Sequence, residues 1–493
     1  MTALLTSPAR ERFRAPRPAP SNAIVLAILV TCQLMIVLDI SIVITALPNI
    51  EAALDFSPTS LSWVQNAYTL AFGGLLLLGA RAGDILGRRR MLVTGIAIFG
   101  LASLAGGLAQ SEGWLLAARA VQGVGAAIAA PATLALLTVT FREGRERVRA
   151  VAAYSAVSAG GGSIGLVVGG MLTTWASWRW GLLVNVPLGA ALIWLAPRYL
   201  PDTPRQSGRF DLAGAITSTL GMTALVYGFV RAAEAGWGET GTLASFTAGV
   251  ALLTAFVLAE RNAEQPITPL RLFASRERSG AYLARLLLVA GNFSAFFFLT
   301  QYMQGALGFS ALQAGLAFLP MTIAMFTAIR IVPRISERVE NAWLLIGGMV
   351  LAAVGMAWLT RISASTEFFP QIALPMVIFG AGTGIAFGPL TSAGLAGVAP
   401  ADAGAASGML NVSQQLGGSL GLGILVTVFA AASGPSHALT GLAGREELAH
   451  SVAAALTGST AFLIIAVGVV IGVMRPARVA AVAPLAAAPN ATS

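Results

Sequence analysis

The stretch Gly79–Leu92, GARAGDILGRRRML, separates two apolar runs, Leu61–Leu78 and Met91–Ala109. Each run is close to the ~20 residues a helix needs to cross a hydrocarbon core. Arg88, Arg89 and Arg90 cannot lie in lipid, so the linker sits at a membrane face. Arginines in a short loop beside spans mark the cytoplasmic side. Asp84 can accept hydrogen bonds from a neighbouring helix end, and Gly79, Gly83 and Gly87 let backbones approach closely. The plain alternative is a basic turn that only sets orientation.

The rest of the chain fits a membrane location. Its 493 residues are 56% hydrophobic and 10% charged, against about 25% charged residues in soluble proteins. Mean hydropathy is +0.78. This is the composition of a polytopic membrane protein, and abundant Gly and Ala suit close helix packing in lipid. The first apolar run begins near Ser21 and is too long for a signal-peptide core, so no cleavable signal is expected. The net charge of +9 does not point to nucleic acid, because of where the charge sits. All thirty basic residues are Arg. A chain without Lys has no Walker A lysine and no Schiff-base lysine, which argues against an ATP-driven pump. Cys32 is the single cysteine and His437 and His450 are the two histidines, so neither an internal disulfide nor a structural zinc site is expected. The sequence calls for no cofactor.

Fourteen spans are expected, roughly over 22–47, 60–80, 91–109, 114–138, 149–173, 179–197, 211–231, 242–260, 280–304, 312–331, 343–360, 371–391, 404–430 and 453–474. With the N-terminus inside, twenty-four arginines fall in inner segments, beginning with Arg10, Arg12, Arg14 and Arg17. Four fall outside, at Arg179, Arg231, Arg361 and Arg445, and Arg119 and Arg285 lie within spans. That asymmetry predicts both termini cytoplasmic and an even number of spans. The Arg- and Pro-rich arm 1–20 and the Ala- and Pro-rich tail 475–493 read as disordered.

An internal repeat is visible. Gly161-Gly-Ser-Ile-Gly-Leu166 recurs as Gly417-Gly-Ser-Leu-Gly-Leu422, an offset of 256. Gly123-Val-Gly125 with Pro131 recurs as Gly382-Thr-Gly384 with Pro389, an offset of 258 to 259. Two matches at nearly one offset favour duplicated halves, as in parallel-repeat transporters. The expected fold is therefore all-α, with fourteen transmembrane helices in two six-helix pseudo-repeated bundles, 21–200 and 276–474, and an inserted two-helix hairpin at 201–275.

Two intramembrane charges stand out. Asp39 lies in Leu38-Asp-Ile-Ser-Ile-Val-Ile-Thr-Ala-Leu-Pro48. An ionised Asp at a helix centre costs about 2.5–3.5 kcal/mol on insertion scales, so it faces a cavity or a partner. A packing role, bonded to Ser or Thr, is the alternative. Arg119 opens Arg119-Ala-Val-Gln-Gly-Val-Gly125. Counted from the outer end at 1.5 Å per residue, Arg119 is about 8 Å deep and Asp39 about 12 Å deep, close enough to couple through a cavity. Arg119 could instead snorkel to the outer surface. Span 5 carries Gly160, Gly165, Gly169 and Gly170, and span 6 opens Trp178-Arg-Trp-Gly-Leu-Leu-Val-Asn-Val-Pro-Leu-Gly189.

These elements resemble the major facilitator superfamily and, within it, the fourteen-span drug:proton antiporters. The loop is similar to the family's Gly-x-Leu-x-Asp-x-x-Gly-Arg-Arg between spans 2 and 3, matched by Asp84, Gly87, Arg88 and Arg89, with Ala80 beside Gly79 and Ala82 replacing the usual Gly and Leu. The resemblance implies a latch between two halves. The Asp39 segment is similar to Leu-Asp-x-Thr-Ile-Val-Asn-x-Ala-Leu-Pro, with Ser41 and Thr45 substituted. Arg119-Ala-Val-Gln-Gly resembles the Arg-x-x-Gln-Gly motif implicated in proton transfer. Gly165-Leu-Val-Val-Gly-Gly170 resembles the antiporter motif Gly-Pro-x-x-Gly-Gly, with Leu166 in place of Pro. Asp39 and Arg119 are thereby the expected proton-coupling residues.

A substrate cavity is expected from Gln122, Asn292, Phe296, Gln301, Tyr302, Gln304, Asn411 and Gln415, since polar side chains among aromatic and Met walls suit bulky amphipathic ligands. Many could equally be ordinary helix contacts. Span 13 lacks the acidic residue found in some relatives that expel dications, and Arg285, early in span 9, can snorkel inward. The reading is a non-enzymatic secondary transporter of a cell membrane, multi-pass and acting as a monomer. Its expected partners are a small-molecule substrate, protons and the lipid bilayer. It would export hydrophobic or amphipathic compounds in exchange for protons by alternating access. A carrier of another metabolite or siderophore is the second reading. A membrane-embedded transferase is the third, and the outer loop near 431–451, with Glu446, Glu447, His437 and His450, offers it no catalytic arrangement.

Overall fold

A chain segment in lipid must satisfy every backbone N–H and C=O internally, which leaves long apolar runs little choice but helix. The computed structural model describes residues 22–473 except 143, 204, 206–209, 264, 265, 267, 400, 401 and 434–440. The expectations for the arm 1–20, the tail 475–493 and His437 lie outside the described residues.

The helices, in order, are α1 (Asn22–Leu54), α2 (Ser62–Leu86), α3 (Arg88–Gly107), α4 (Glu112–Thr140), α5 (Arg145–Trp175), α6 (Trp178–Leu183), α7 (Asn185–Tyr199), α8 (Leu212–Ala235), α9 (Thr240–Asn262), α10 (Arg276–Gly305), α11 (Ala311–Ala317), α12 (Leu319–Ile335), α13 (Asn341–Leu359), α14 (Ala373–Gly394), α15 (Ala403–Ala432) and α16 (Gly441–Val473). A 3-10 turn at Leu270–Ala274 precedes α10, and no strand occurs among the described residues. α6 with α7, and α11 with α12, each form one span, giving fourteen helices long and apolar enough to cross a membrane. Both breaks have the same cause. Pro187 and Pro320 lack the N–H that would bond the carbonyl four residues earlier, so the helix stops just before each.

α1 and α16 run past the expected spans. α1 continues through Pro48 to Leu54, and α16 begins at Gly441, so Glu446, Glu447 and His450 are helical rather than part of a long outer loop.

Packing repeats between the halves. α4 packs on α2 and α3, α5 on α1 and α7 on α3; correspondingly α14 packs on α12 and α13, α15 on α10 and α16 on α13. The expected register of this repeat needs one correction. Gly125 lies against Gly95 and Phe99 of α3, where a Cβ would stand 2.6 Å from the Phe99 nitrogen. Its counterpart is Gly382, set against Gly348 and Ala352 of α13. Gly123 on Tyr68 likewise corresponds to Gly380 on Met321. Gly380-Ala-Gly382-Thr-Gly384 offers two registers to a sequence comparison, and packing selects the earlier one.

The halves meet where α2 packs on α15, α5 on α11 and α1 on α10; the hairpin α8–α9 leans on this seam through α8, which touches α2 and α15. At the end away from Gly87, a Cβ on Gly170 would stand 2.6 Å from the Ala311 carbonyl oxygen, and Gly315 abuts the Leu166 carbonyl. With Leu166 in place of Pro, α5 runs unbroken through this contact. Gly165 and Gly169 lie on α1, whereas a Cβ on Gly160 would meet nothing within 4 Å, so Gly160 is not a close-packing glycine.

Candidate functional site

Five helices of the first half converge on one buried carboxylate. Asp39 of α1 and Arg119 of α4 are both 0% exposed. Arg119 Nη1 donates to Asp39 Oδ2 at 2.5 Å. Gln122 Nε2, one turn along α4, donates to Asp39 Oδ1 at 2.5 Å, and Asn185 Nδ2 from the start of α7 donates to the same oxygen at 2.9 Å. Gln122 Nε2 also reaches Ser103 Oγ of α3 at 2.8 Å. Arg119 keeps other partners: Nε donates to the Val64 carbonyl of α2 at 3.0 Å, Nη1 to Gln122 Oε1 at 2.7 Å, and Cζ stands 4.5 Å over the Tyr68 ring.

Arg119 therefore does not snorkel to a surface, and the direct ion pair replaces the expected coupling through a cavity. Gln122 belongs to this network rather than to a substrate wall. Asn185 was singled out only as part of a motif, and its role as a carboxylate donor has no signature beyond a polar residue in an apolar span. At the pair, Arg119 Nη2, Asn185 Oδ1 and the Tyr68 hydroxyl are buried without a hydrogen bond inside the protein, as are both amide atoms of Gln65 and Asn66 elsewhere on α2. Polar atoms so placed are where buried water is held.

At the Gly87 turn, Asp84 Oδ1 accepts from Arg88 Nε at 3.1 Å and Nη2 at 2.9 Å. Arg89 donates to Asp202 Oδ2 at 2.7 Å and to the Leu200 carbonyl at 3.1 Å, and the Arg88 N–H donates to Thr203 Oγ1 at 3.2 Å. Gly87 has φ of +101°, which a side chain would strain, and a Cβ on Gly79 would overlap the Ala127 carbonyl of α4. These bonds join α2, α3 and the segment that follows α7 and leads toward the α8–α9 hairpin, and none of them reaches the second half.

The expected cavity residues separate. Tyr302 is 0% exposed and its hydroxyl donates to the Ser363 carbonyl at 2.7 Å, so it ties down a loop rather than lining a cavity. Gln304 Nε2 donates across the seam to the Thr45 carbonyl at 3.0 Å. Gln415 is buried against Gly73 of α2. Asn292, Phe296 and Gln301 are partly exposed, Phe296 lying 5.0 Å from the Phe318 ring centroid. Asn411 is exposed and donates to the Ser407 carbonyl of its own helix at 3.2 Å. Arg285 is buried, donating to Thr391 Oγ1 at 3.0 Å and Gln414 Oε1 at 2.9 Å, and so does not snorkel.

Comparison with known proteins places this architecture. The family model described as Major Facilitator Superfamily matches residues 29–422. The chain is 40% identical to the cephamycin export protein CmcT of Amycolatopsis lactamdurans, over 90% of each chain. It is 43% identical to the puromycin resistance protein pur8 of Streptomyces alboniger, over 83% of this chain and 82% of that one. Among solved structures it is similar to a bacterial homolog of the human lysosomal transporter Spinster, in an inward-facing and unoccupied conformation. The TM-score is 0.66 at 17% identity, covering 91% of this chain and 96% of the other.

Proposed function

The chain belongs to the Major Facilitator Superfamily, and from that premise we propose that it exports small hydrophobic or amphipathic compounds, antibiotics among them, in exchange for protons by alternating access. It is a multi-pass membrane transporter of small molecules rather than an enzyme. Export and the substrate class are carried over from relatives named for cephamycin export and puromycin resistance.

The observation that carries proton coupling is the buried contact of Arg119 with Asp39. Arg119 stays charged throughout and cannot exchange a proton itself. When Asp39 is protonated, Arg119 still has the Val64 carbonyl, Gln122 Oε1 and the Tyr68 ring. The site can thus hold either protonation state without leaving the guanidinium bare. In this reading, proton release toward the cytoplasm restores the pair and admits substrate, and protonation from outside accompanies substrate release.

The Gly87 turn is assigned to the cytoplasmic face, with both termini inside, from the arginine asymmetry. The chain is taken to work as a monomer. Expression in a sensitive host should raise tolerance to puromycin or a cephamycin, and a protonophore should abolish that tolerance. Tolerance that survives collapse of the proton gradient contradicts the coupling.

A further inference from the structure

Among the described helices, three charged side chains lie seven or more residues from either helix end: Asp39, Arg119 and Arg285. The first two neutralise each other. Arg285 is the third, and every group the structure gives it is neutral. It is 6% exposed. Nη1 meets Thr391 Oγ1 on α14, Nη2 meets Gln414 Oε1 on α15, and Cζ stands 4.3 Å over the Phe387 ring. Its Nε is buried without a hydrogen bond.

No carboxylate is available nearby in the helices that hold it. The chain has no acidic residue between Glu277 and Glu337, between Glu367 and Asp402, or between Asp402 and Glu446. Asp402, at the start of α15, is taken by both Nε and Nη2 of Arg271 at 2.7 Å each. Among the described residues, the interior of the second half therefore carries one positive charge with no counter-ion in its own helices.

Its partner Gln414 lies on α15, a helix that packs on α2 of the other half. Gln414 is followed on α15 by Gln415, which packs against Gly73 of α2 in the other half, and preceded one turn earlier by exposed Asn411. A guanidinium has five N–H donors, and two are used here. Its planar fork matches a carboxylate or phosphate oxyanion in a bidentate pair.

We infer that Arg285, with Gln414, Thr391 and the Phe387 ring, forms an oxyanion subsite between α10, α14 and the seam-forming helix α15 that takes the carboxylate of an anionic substrate. This rests on the export reading and narrows it, since a positive interior without a carboxylate disfavours cations in the second half. An anionic lipid headgroup offers similar chemistry, and the test separates the two.

The full chain is placed in phosphatidylcholine nanodiscs, and binding of a cephamycin free acid and of its methyl ester is measured by titration calorimetry. The wild type should bind the acid at least tenfold more tightly than the ester. Arg285→Gln should weaken the acid about tenfold and leave the ester within twofold, and Arg285→Lys should recover part of the preference. Adding phosphatidylglycerol should leave acid binding within twofold. A wild type that binds acid and ester equally, or binds neither, overturns the subsite, and this comparison stands whether or not a variant folds. Equal loss of acid and ester in Arg285→Gln, or a tenfold loss of acid binding on adding phosphatidylglycerol, overturns it as well. Binding is read without transport, so proteoliposomes that fail to move either compound would sink the export reading while leaving this result intact.

Discussion

Gln304 of α10 donates its side-chain amide to the Thr45 carbonyl of α1, across the seam and six residues along α1 from Asp39. The same end of the molecule is closed by Gly170 against Ala311. A hydrogen bond between neutral groups is worth about 0.5–1.5 kcal/mol net. Gln304→Ala should therefore shift the balance of conformers several-fold away from the one closed at this end, without unfolding the protein. Paired spin labels on α1 and α10 in a Cys32→Ser background would report it as a larger long-distance population. An unchanged distribution would show that the bond does not hold the seam.

Asp84 and Arg88 form a partly exposed ion pair at the Gly87 turn. Such pairs contribute about 0–1 kcal/mol, so Asp84→Asn should leave thermal stability nearly unchanged. Transport should fall several-fold, because the turn that carries Arg89 to Asp202 and Leu200 loses its fixed geometry. Full transport at normal expression would reduce the stretch to a basic turn.

Two glycines should respond in opposite ways to the same substitution. Gly382→Ala forces a Cβ into the Ala352 backbone, and overpacking costs about 1–3 kcal/mol. Gly160→Ala meets open space, and Ala is favoured over Gly in a helix by about 1 kcal/mol. Melting in detergent should show a clear drop for the first and no loss for the second. Equal effects would mean that helix separation at α13–α14 is not set by contact.

What the chain revealed before folding followed from cost. A charge in lipid is expensive, so Asp39, Arg119 and the Arg88–Arg90 cluster announce themselves, and apolar length alone marks the spans. Partners are another matter. Gln122 and Asn185 reach one carboxylate from two helices while Ser103 holds Gln122 from a third, and spacing along a helix gives a face but not the neighbour it meets. Gln122 was for that reason expected in the cavity, and Tyr302 too, although its hydroxyl serves a loop. The repeat was visible through its glycines, but its register was ambiguous wherever glycine alternates.

Titration outside the membrane should not contribute to transport. Arg231 above all, then the Gly241 and Thr242 amides, hold the Glu239 carboxyl down at about 2. Because the folded value is depressed, its contribution to stability is present above the usual carboxylate range and is lost only as pH falls toward about 2. Between pH 5 and 8 Glu239 stays ionised, and Glu239→Gln should leave the shape of the pH–transport profile unchanged. A displaced profile would assign part of the pH response to the α8–α9 turn.

The coupling claim is tested most directly at Asp39. Wild-type protein and Asp39→Asn are reconstituted in proteoliposomes, and cephamycin movement is followed with and without an imposed pH gradient. Asn keeps the shape and one acceptor for Arg119, and the Val64 and Gln122 contacts remain. Downhill exchange in the variant therefore serves as the check on folding. The account predicts that the wild type concentrates the cephamycin using the proton gradient alone, while Asp39→Asn retains downhill exchange and concentrates none. Proton-driven accumulation by Asp39→Asn would place the coupling site elsewhere.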